Sequence, residues 1–231
     1  MNGKLSIVAT PIGNLEDITL RALRTLKECD IIYAEDTRVI SKLLARYEIK
    51  KPLQRLDEVT ELKKVKEVIS RLEAGEHIVY VSDAGTPGIS DPGARLVKAV
   101  RKHSHILKNV GIKIEAIPGP SALTAALSIA GLDTTGFTFL GFLPHKKGRQ
   151  TALKNIAISN IPVVLYESPH RILKLLKELS LLGEQRRVVI ARELTKIHEE
   201  VVSGTPAEVL THFIAHPSTV RGEFVVIVDS C

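Results

Sequence analysis

Two rhythms of apolar residues alternate along the first half of this chain. Short β-branched runs at 5–9, 30–34, 79–81 and 112–117 read as buried strands. Between them, apolar residues recur at helical spacing. Leu20, Leu23 and Leu26 mark one helix, a stretch through Leu44 a second, and a third runs near 92–103. Residues 60–74 carry Leu62, Val65, Val68, Ile69 and Leu72 among interleaved Lys and Glu, which predicts a solvated amphipathic helix. A weak strand is expected near 52–56. Strands alternating with helices imply a parallel sheet covered on both faces.

The second half has another texture. Pro118-Gly119-Pro120-Ser121 breaks the chain, and Ser121 can cap a small-residue helix over 122–130. Strands are expected at 137–140, 163–166, 188–192, 200–203 and 224–228, with a basic helix starting near Lys146. Ser168-Pro169 and Thr205-Pro206 read as cap-then-proline helix starts, the latter completed as a capping box by Glu208. The strands at 188–192 and 200–203 follow each other with no helix between, so this sheet is mixed. The fold class is therefore α/β: an N-terminal parallel-sheet domain over 1–117, and a C-terminal mixed-sheet α/β domain over 118–231.

Composition narrows the chemistry. Hydrophobic residues make up 44% of the 231, ample for a core, yet no apolar run approaches the roughly 18–20 residues that span a bilayer. Met1-Asn2-Gly3-Lys4 enters a strand directly without a signal-like segment, so a cytoplasmic protein without membrane association is expected. Cys29 and Cys231 have neither metal-type spacing nor a disulfide pattern. The formal charge of +6 favours a polyanionic partner, whereas 4% aromatics and no Trp argue against a base-stacking platform. His77, His103 and His105 read as structural or surface residues.

Candidate chemistry concentrates where strands end. The densest stretch follows the strand at 79–81: Ser82-Asp83-Ala84-Gly85-Thr86-Pro87-Gly88-Ile89-Ser90-Asp91-Pro92-Gly93. Its glycines let backbone approach a ligand closely, and Asp91 and Pro92 suit a helix start. Loops at the carboxyl ends of parallel strands are where open α/β sheets bind ligands. Comparable punctuation recurs at Thr10-Pro11-Ile12-Gly13-Asn14, Glu35-Asp36-Thr37-Arg38 and Pro118-Gly119-Pro120-Ser121. The second half adds Gly141-Phe142-Leu143-Pro144, Tyr166-Glu167-Ser168-Pro169-His170-Arg171 and Arg192-Glu193-Leu194-Thr195-Lys196. The basic run His145-Lys146-Lys147-Gly148-Arg149, with Arg171 and Lys196, is the candidate for phosphate contact, a solvated helix start being the alternative for the run.

Taken together and in order, these motifs resemble the ribosomal-RNA-methylating branch of the tetrapyrrole methylase superfamily, the class III S-adenosylmethionine-dependent methyltransferases. The similarity runs from Ser6 to Val228. It implies a two-domain tetrapyrrole methylase-like fold, a homodimer, and S-adenosylmethionine folded in an interdomain cleft. Its methyl would pass by in-line displacement, without metal, to the ribose 2′-oxygen of a cytidine in the decoding region of 16S rRNA in the 30S subunit. The resemblance assigns Pro11, Asp83, Gly85, Thr86, Ile89, Ser121, Ala122 and Tyr166 to the cofactor. The G-x-G-x-x-G nucleotide fingerprint is absent.

A general base near the hydroxyl would come from Glu35, Asp36, Glu61 or Glu167, though an acidic group beside Arg38 or Arg171 serves equally as an ion pair. Three departures stand out. Asp57-Glu58-Val59-Thr60-Glu61 replaces the family's His-x-His-Asn-Glu, keeping only the glutamate. Residues 102–109 look like a short insertion, and the chain stops at Cys231 where many members continue into a helical extension. Two other readings share the motifs: a porphyrinoid methyltransferase of the same superfamily, and a ribosome-binding protein that has lost catalysis.

Overall fold

The computed structural model describes residues 3–57, 61–91, 93–106, 111–181 and 186–230, excluding the side chains at 61–63 and 104–106. The chain divides into two compact units, Met1–Ser121 and Ala122–Cys231.

The first unit holds β1 (Lys4–Val8), α1 (Leu20–Glu28), β2 (Ile31–Ala34), α2 (Thr37–Arg46), β3 (Leu53–Arg55), α3 (Glu61–Glu73), β4 (His77–Val81), α4 (Gly93–Ile106) and β5 (Lys113–Ile117). All its strands pair in parallel, in the order β3-β2-β4-β1-β5. Alternate strand residues feed two cores. Val8, Ile32, Ala34, Val79 and Val81 pack with Ala22, Leu26, Ile40, Leu43 and Leu44 of α1 and α2. Leu5, Ile31, Tyr33, Ile78 and Tyr80 pack with Val68, Leu72, Leu96 and Val100 of α3 and α4. Each fully buried aliphatic side chain is worth about 1.5–3 kcal/mol relative to exposure, which is why near-continuous apolar strands settle between two helical layers. One polar knot interrupts them: the buried Ser6 hydroxyl donates to Glu115 Oε1 at 2.8 Å and meets His77 Nε2 at 2.9 Å. Lys4 and Lys113 bind the same carboxylate at 3.3 and 3.2 Å.

The second unit holds α5 (Ala122–Ile129), β6 (Thr138–Phe142), α6 (Arg149–Ala157), β7 (Val163–Glu167), α7 (Ile172–Ser180), β8 (Val188–Arg192), β9 (Glu200–Gly204), α8 (Pro206–Ala215) and β10 (Phe224–Val228). Its sheet runs β6-β7-β10-β8-β9, with β6 and β7 parallel and the remaining pairs antiparallel. α6, α7 and α8 cover one face through Leu153, Leu175, Leu179, Val209 and Phe213, and α5 packs on β10. The capping box at Thr205 and Glu208 forms as expected. Arg186 closes the other end of α6, its guanidinium donating to the Ile156, Ala157 and Ser159 carbonyls at and just beyond the helix C-terminus.

Three boundaries differ from the sequence reading. β6 extends to Phe142, because a bulge between Phe139 and Gly141 re-registers it on β7. α6 begins at Arg149 rather than near Lys146, since Gly148 sits in the left-handed region at φ +88° and stops the helix there. α7 begins at Ile172, after a turn in which the Ser168 carbonyl accepts the Arg171 and Ile172 amides, both at 3.0 Å.

Candidate functional site

In the first unit, adjacent strands send their chains to opposite faces. β1 leads to α1 in one layer and β4 leads to α4 in the other. That divergence is a topological switch point, and it opens a crevice outside the carboxyl ends of β1 and β4 where open parallel sheets take ligands.

The loops at that crevice are stitched by backbone. Thr10 and Gly85 form an isolated antiparallel bridge, each amide donating to the other's carbonyl at 3.0 Å. Thr86 Oγ1 donates to the Pro120 carbonyl at 3.0 Å, which ties in the loop after β5. Gly85 has φ +74°, and a Cβ there would stand 3.2 Å from Ile12 Cγ2 and 3.6 Å from the Pro120 oxygen. Only glycine allows these three loops to meet so closely. Asp91 Oδ1 accepts the Gly88 and Gly93 amides at 2.7 and 2.9 Å, folding the long loop back on itself. Asp91 therefore staples the loop and lies two residues before α4; Pro92, expected at the helix start, falls outside the described residues. Asp83 Oδ1 accepts the Asp36 amide at 2.8 Å, joining the turn after β2 to the same rim. Thr10 itself is 3% exposed, and its buried hydroxyl has no hydrogen-bond partner among the described residues. A buried hydroxyl in that position is suited to a ligand's polar group.

The corresponding end of the second unit is held by charge. Arg149 is buried, and its guanidinium grips Glu178 through contacts of 2.5–3.2 Å and approaches Glu167 Oε2 at 3.9 Å. Arg171 Nε lies 3.2 Å from Glu167 Oε1, and its Nη2 donates to the Leu143 carbonyl at 2.5 Å. Tyr166 meets Phe139 and Phe142 edge-on at 5.0 and 5.7 Å.

A family model described as "Tetrapyrrole (Corrin/Porphyrin) Methylases" matches residues 4–210. A curated relative from Thermotoga maritima, named ribosomal RNA small subunit methyltransferase I, is 46% identical over 211 residues, covering 91% of this chain and 92% of its own. This chain belongs to the ribosomal RNA small subunit methyltransferase I family of tetrapyrrole methylases. The family's fold is seen in the methyltransferase CobJ, with TM-score 0.72 and 21% identity over 100% of this chain and 95% of the other. It is seen too in uroporphyrin-III C-methyltransferase from Thermus thermophilus complexed with S-adenosyl homocysteine, with TM-score 0.62 and 20% identity over 98% and 97%.

Against that family frame, the residues singled out in the sequence separate clearly. Pro11, Gly85, Thr86 and Ser121 gather on the stitched loops, with Ile89 exposed and Asp83 serving the rim. Ala122 opens α5, and Tyr166 lies near the end of β7. Of the carboxylates, Glu35 is half-buried directly after β2. Asp36 caps α2 and pairs with Arg38, whose side-chain hydrogen bonds lower its carboxyl to about 2 and leave it a weak proton acceptor. Glu167 corrects the sequence reading: its side chain is sealed between two arginines, with no exposed surface from which to meet a substrate hydroxyl. The side chain of Glu61 and residues 58–60 lie outside the described residues, as do 107–109 of the insertion.

Arg149 is the second correction. It is 4% exposed and committed to Glu178, so it offers nothing to a phosphate in solvent. Arg171 is largely withdrawn in the same way, and Lys196 is held by Glu193 and Glu223 at 2.7 and 3.0 Å. Lys146 and Lys147 are exposed. Glu178 escaped the sequence reading, because nothing in the leucine-rich pattern of α7 distinguishes it from a solvent-facing glutamate. Among the described residues no cluster of His, Cys, Asp or Glu could hold a metal ion, and no helix is long and apolar enough to cross a membrane.

Proposed function

We propose that this chain transfers a methyl group from S-adenosylmethionine to small-subunit ribosomal RNA. The 46% identity to a relative named for that activity carries the reading. The switch-point loops fit the cofactor on their own chemistry. They offer a backbone-lined cradle that a Cβ at Gly85 would crowd, and an orphaned Thr10 hydroxyl inside it. A fold relative's title names the demethylated product of the same cofactor.

The cofactor supplies a methyl group already activated on sulfonium, so the protein's task is placement. Pro11, Gly85, Thr86, Ile89 and Ser121 would hold it, and alignment of this kind is worth roughly 7–11 kcal/mol of barrier. Asp83 holds the rim by fixing the Asp36 amide. Glu35 or Glu61 would receive the hydroxyl proton, Asp36 being a weak acceptor beside Arg38 and Glu167 being sealed. Lys146 and Lys147 are the assigned phosphate contacts. The finer target, the ribose 2′-oxygen of a cytidine in the decoding region, and a homodimeric state rest on the motif resemblance.

The test is incubation with 30S subunits and isotopically labelled S-adenosylmethionine, followed by mass analysis of nuclease fragments. One methyl group gained on a cytidine ribose, with resistance to alkaline cleavage at that nucleotide, is expected. A methylated base, or no transfer to rRNA, would overturn the finer or the whole reading respectively.

A further inference from the structure

The end of the second sheet holds more buried charge than a surface lysine loop requires. Arg149 donates to the Pro144 carbonyl at 3.4 Å while gripping Glu178. Arg171 holds the Leu143 carbonyl and reaches His145 Nε2 at 3.4 Å while paired to Glu167. Two guanidinium groups thus fasten three successive residues, Leu143, Pro144 and His145, to carboxylates rooted in β7 and α7. The next two residues are Lys146 and Lys147. Gly148 then turns the chain, and the Arg149 amide returns to the Lys146 carbonyl at 3.2 Å. The lysine pair is therefore strung between a segment that both arginines hold and the anchored Arg149 itself.

Burying such ions costs several kcal/mol each before pairing offsets it, and a polar N-cap would start α6 without them. A paired network of this kind specifies one geometry more effectively than it adds stability.

We propose that the Arg149–Glu167–Arg171–Glu178 cluster is a positioning device that fixes Lys146 and Lys147 for contact with RNA phosphates. Its members act through the lysines and do not touch RNA. The inference rests on the rRNA-substrate reading above.

The primary variant is Arg149→Lys, which keeps the charge but loses the planar fork that bonds Glu178 and Pro144 together. Glu178→Gln, which keeps the side-chain shape, stands in if that variant fails to fold. Expected are a raised KM for 30S subunits and a log-affinity against log-salt slope flattened by up to about 1.4–1.8, as for two lost phosphate contacts. Calorimetric affinity for S-adenosylmethionine stays at the wild-type value. In a Lys146→Ala, Lys147→Ala background the same substitution adds nothing further. Additive effects, a wild-type KM, or a loss confined to kcat would overturn the proposal.

If the wild type does not methylate 30S subunits, the substrate reading fails separately. Hydrogen exchange then decides the inference. The amides of residues 146–148 must exchange faster in Arg149→Lys while those of β7 and β10 do not, and unchanged exchange overturns it.

Discussion

The two units solve the same problem, holding loops still at the end of a sheet, with different materials. In the first, Thr10, Gly85, Thr86 and Pro120 are joined through backbone amides and carbonyls and one hydroxyl. In the second, Leu143, Pro144 and His145 are tied down by two arginines and two glutamates, of which Arg149 and Glu167 are buried. Backbone stitching is tolerant of side chains but intolerant of any Cβ at the crossing point. Charge stitching is the reverse: the backbone is ordinary, but each member depends on an oppositely charged partner, which for Arg149 lies 29 residues along the chain. A ligand that must be approached closely suits the first arrangement, and a surface presented to a large polyanion suits the second.

The sharpest way to break this contrast is to remove one charge. Glu167→Ala should lower unfolding free energy by about 3–5 kcal/mol in urea titration, because Arg171 loses its carboxylate partner and the buried Arg149 is left with Glu178 alone. A loss below 1 kcal/mol, of the order of a surface change, would mean the cluster is a solvated ion pair after all. Gly85→Val should cost less, about 1–3 kcal/mol for a β-branched residue at φ +74°. It should nonetheless abolish S-adenosylmethionine binding in calorimetry, while Glu167→Ala retains it. If Gly85→Val binds cofactor normally, the stitched loops are not the cradle.

Acid sharpens the comparison from the other side, through the polar knot of the first sheet. Burial alone would raise the Glu115 carboxyl, but hydrogen bonds from Ser6, Lys113 and Lys4 bring it down to about 2. Burial, with Lys4 nearby, lowers His77 below its ordinary 6.5. Both groups bind protons more readily in the unfolded chain than in the folded one. Stability should therefore fall as pH drops below 6.5, and fall more steeply from 4.5 towards 2. Thermal melts across that range, with Glu115→Gln flattening the lower limb, check the sign. The smallest stability effect is expected for Lys146→Ala with Lys147→Ala, within about 0.5 kcal/mol, since both side chains are exposed.

The division between backbone and charge also explains what the sequence revealed. Gly and Pro announce backbone stitching locally, so the loops at 10–14, 82–93 and 118–121 were legible from composition alone, together with the alternation that makes the first sheet parallel. The Thr10–Gly85 bridge was not, because it joins strand ends far apart in sequence. Arg149 read as a surface cation because its chain neighbours Lys146 and Lys147 are surface cations. Its fate is decided by Glu178, one helix later, and pairwise partners at that separation leave no local pattern. The start of α6 was misjudged for a related reason: only the left-handed Gly148 separates the loop lysines from the buried helix.

One feature of the first sheet bears on how the chain is made. β1 lies between β4 and β5, so Lys4 meets both His77 and Lys113. This central strand thus leaves the ribosome before both of its neighbours, the later of which is the final strand of the unit. At about 5–20 residues per second, synthesis leaves β1 without that neighbour for several seconds. During that interval Leu5, Ile7 and Val8 form an unpaired, β-prone edge, broken only by Lys4 and Ser6. The same two residues that later knot Glu115 and His77 into the sheet thereby act, before folding, as the strand's protection against aggregation.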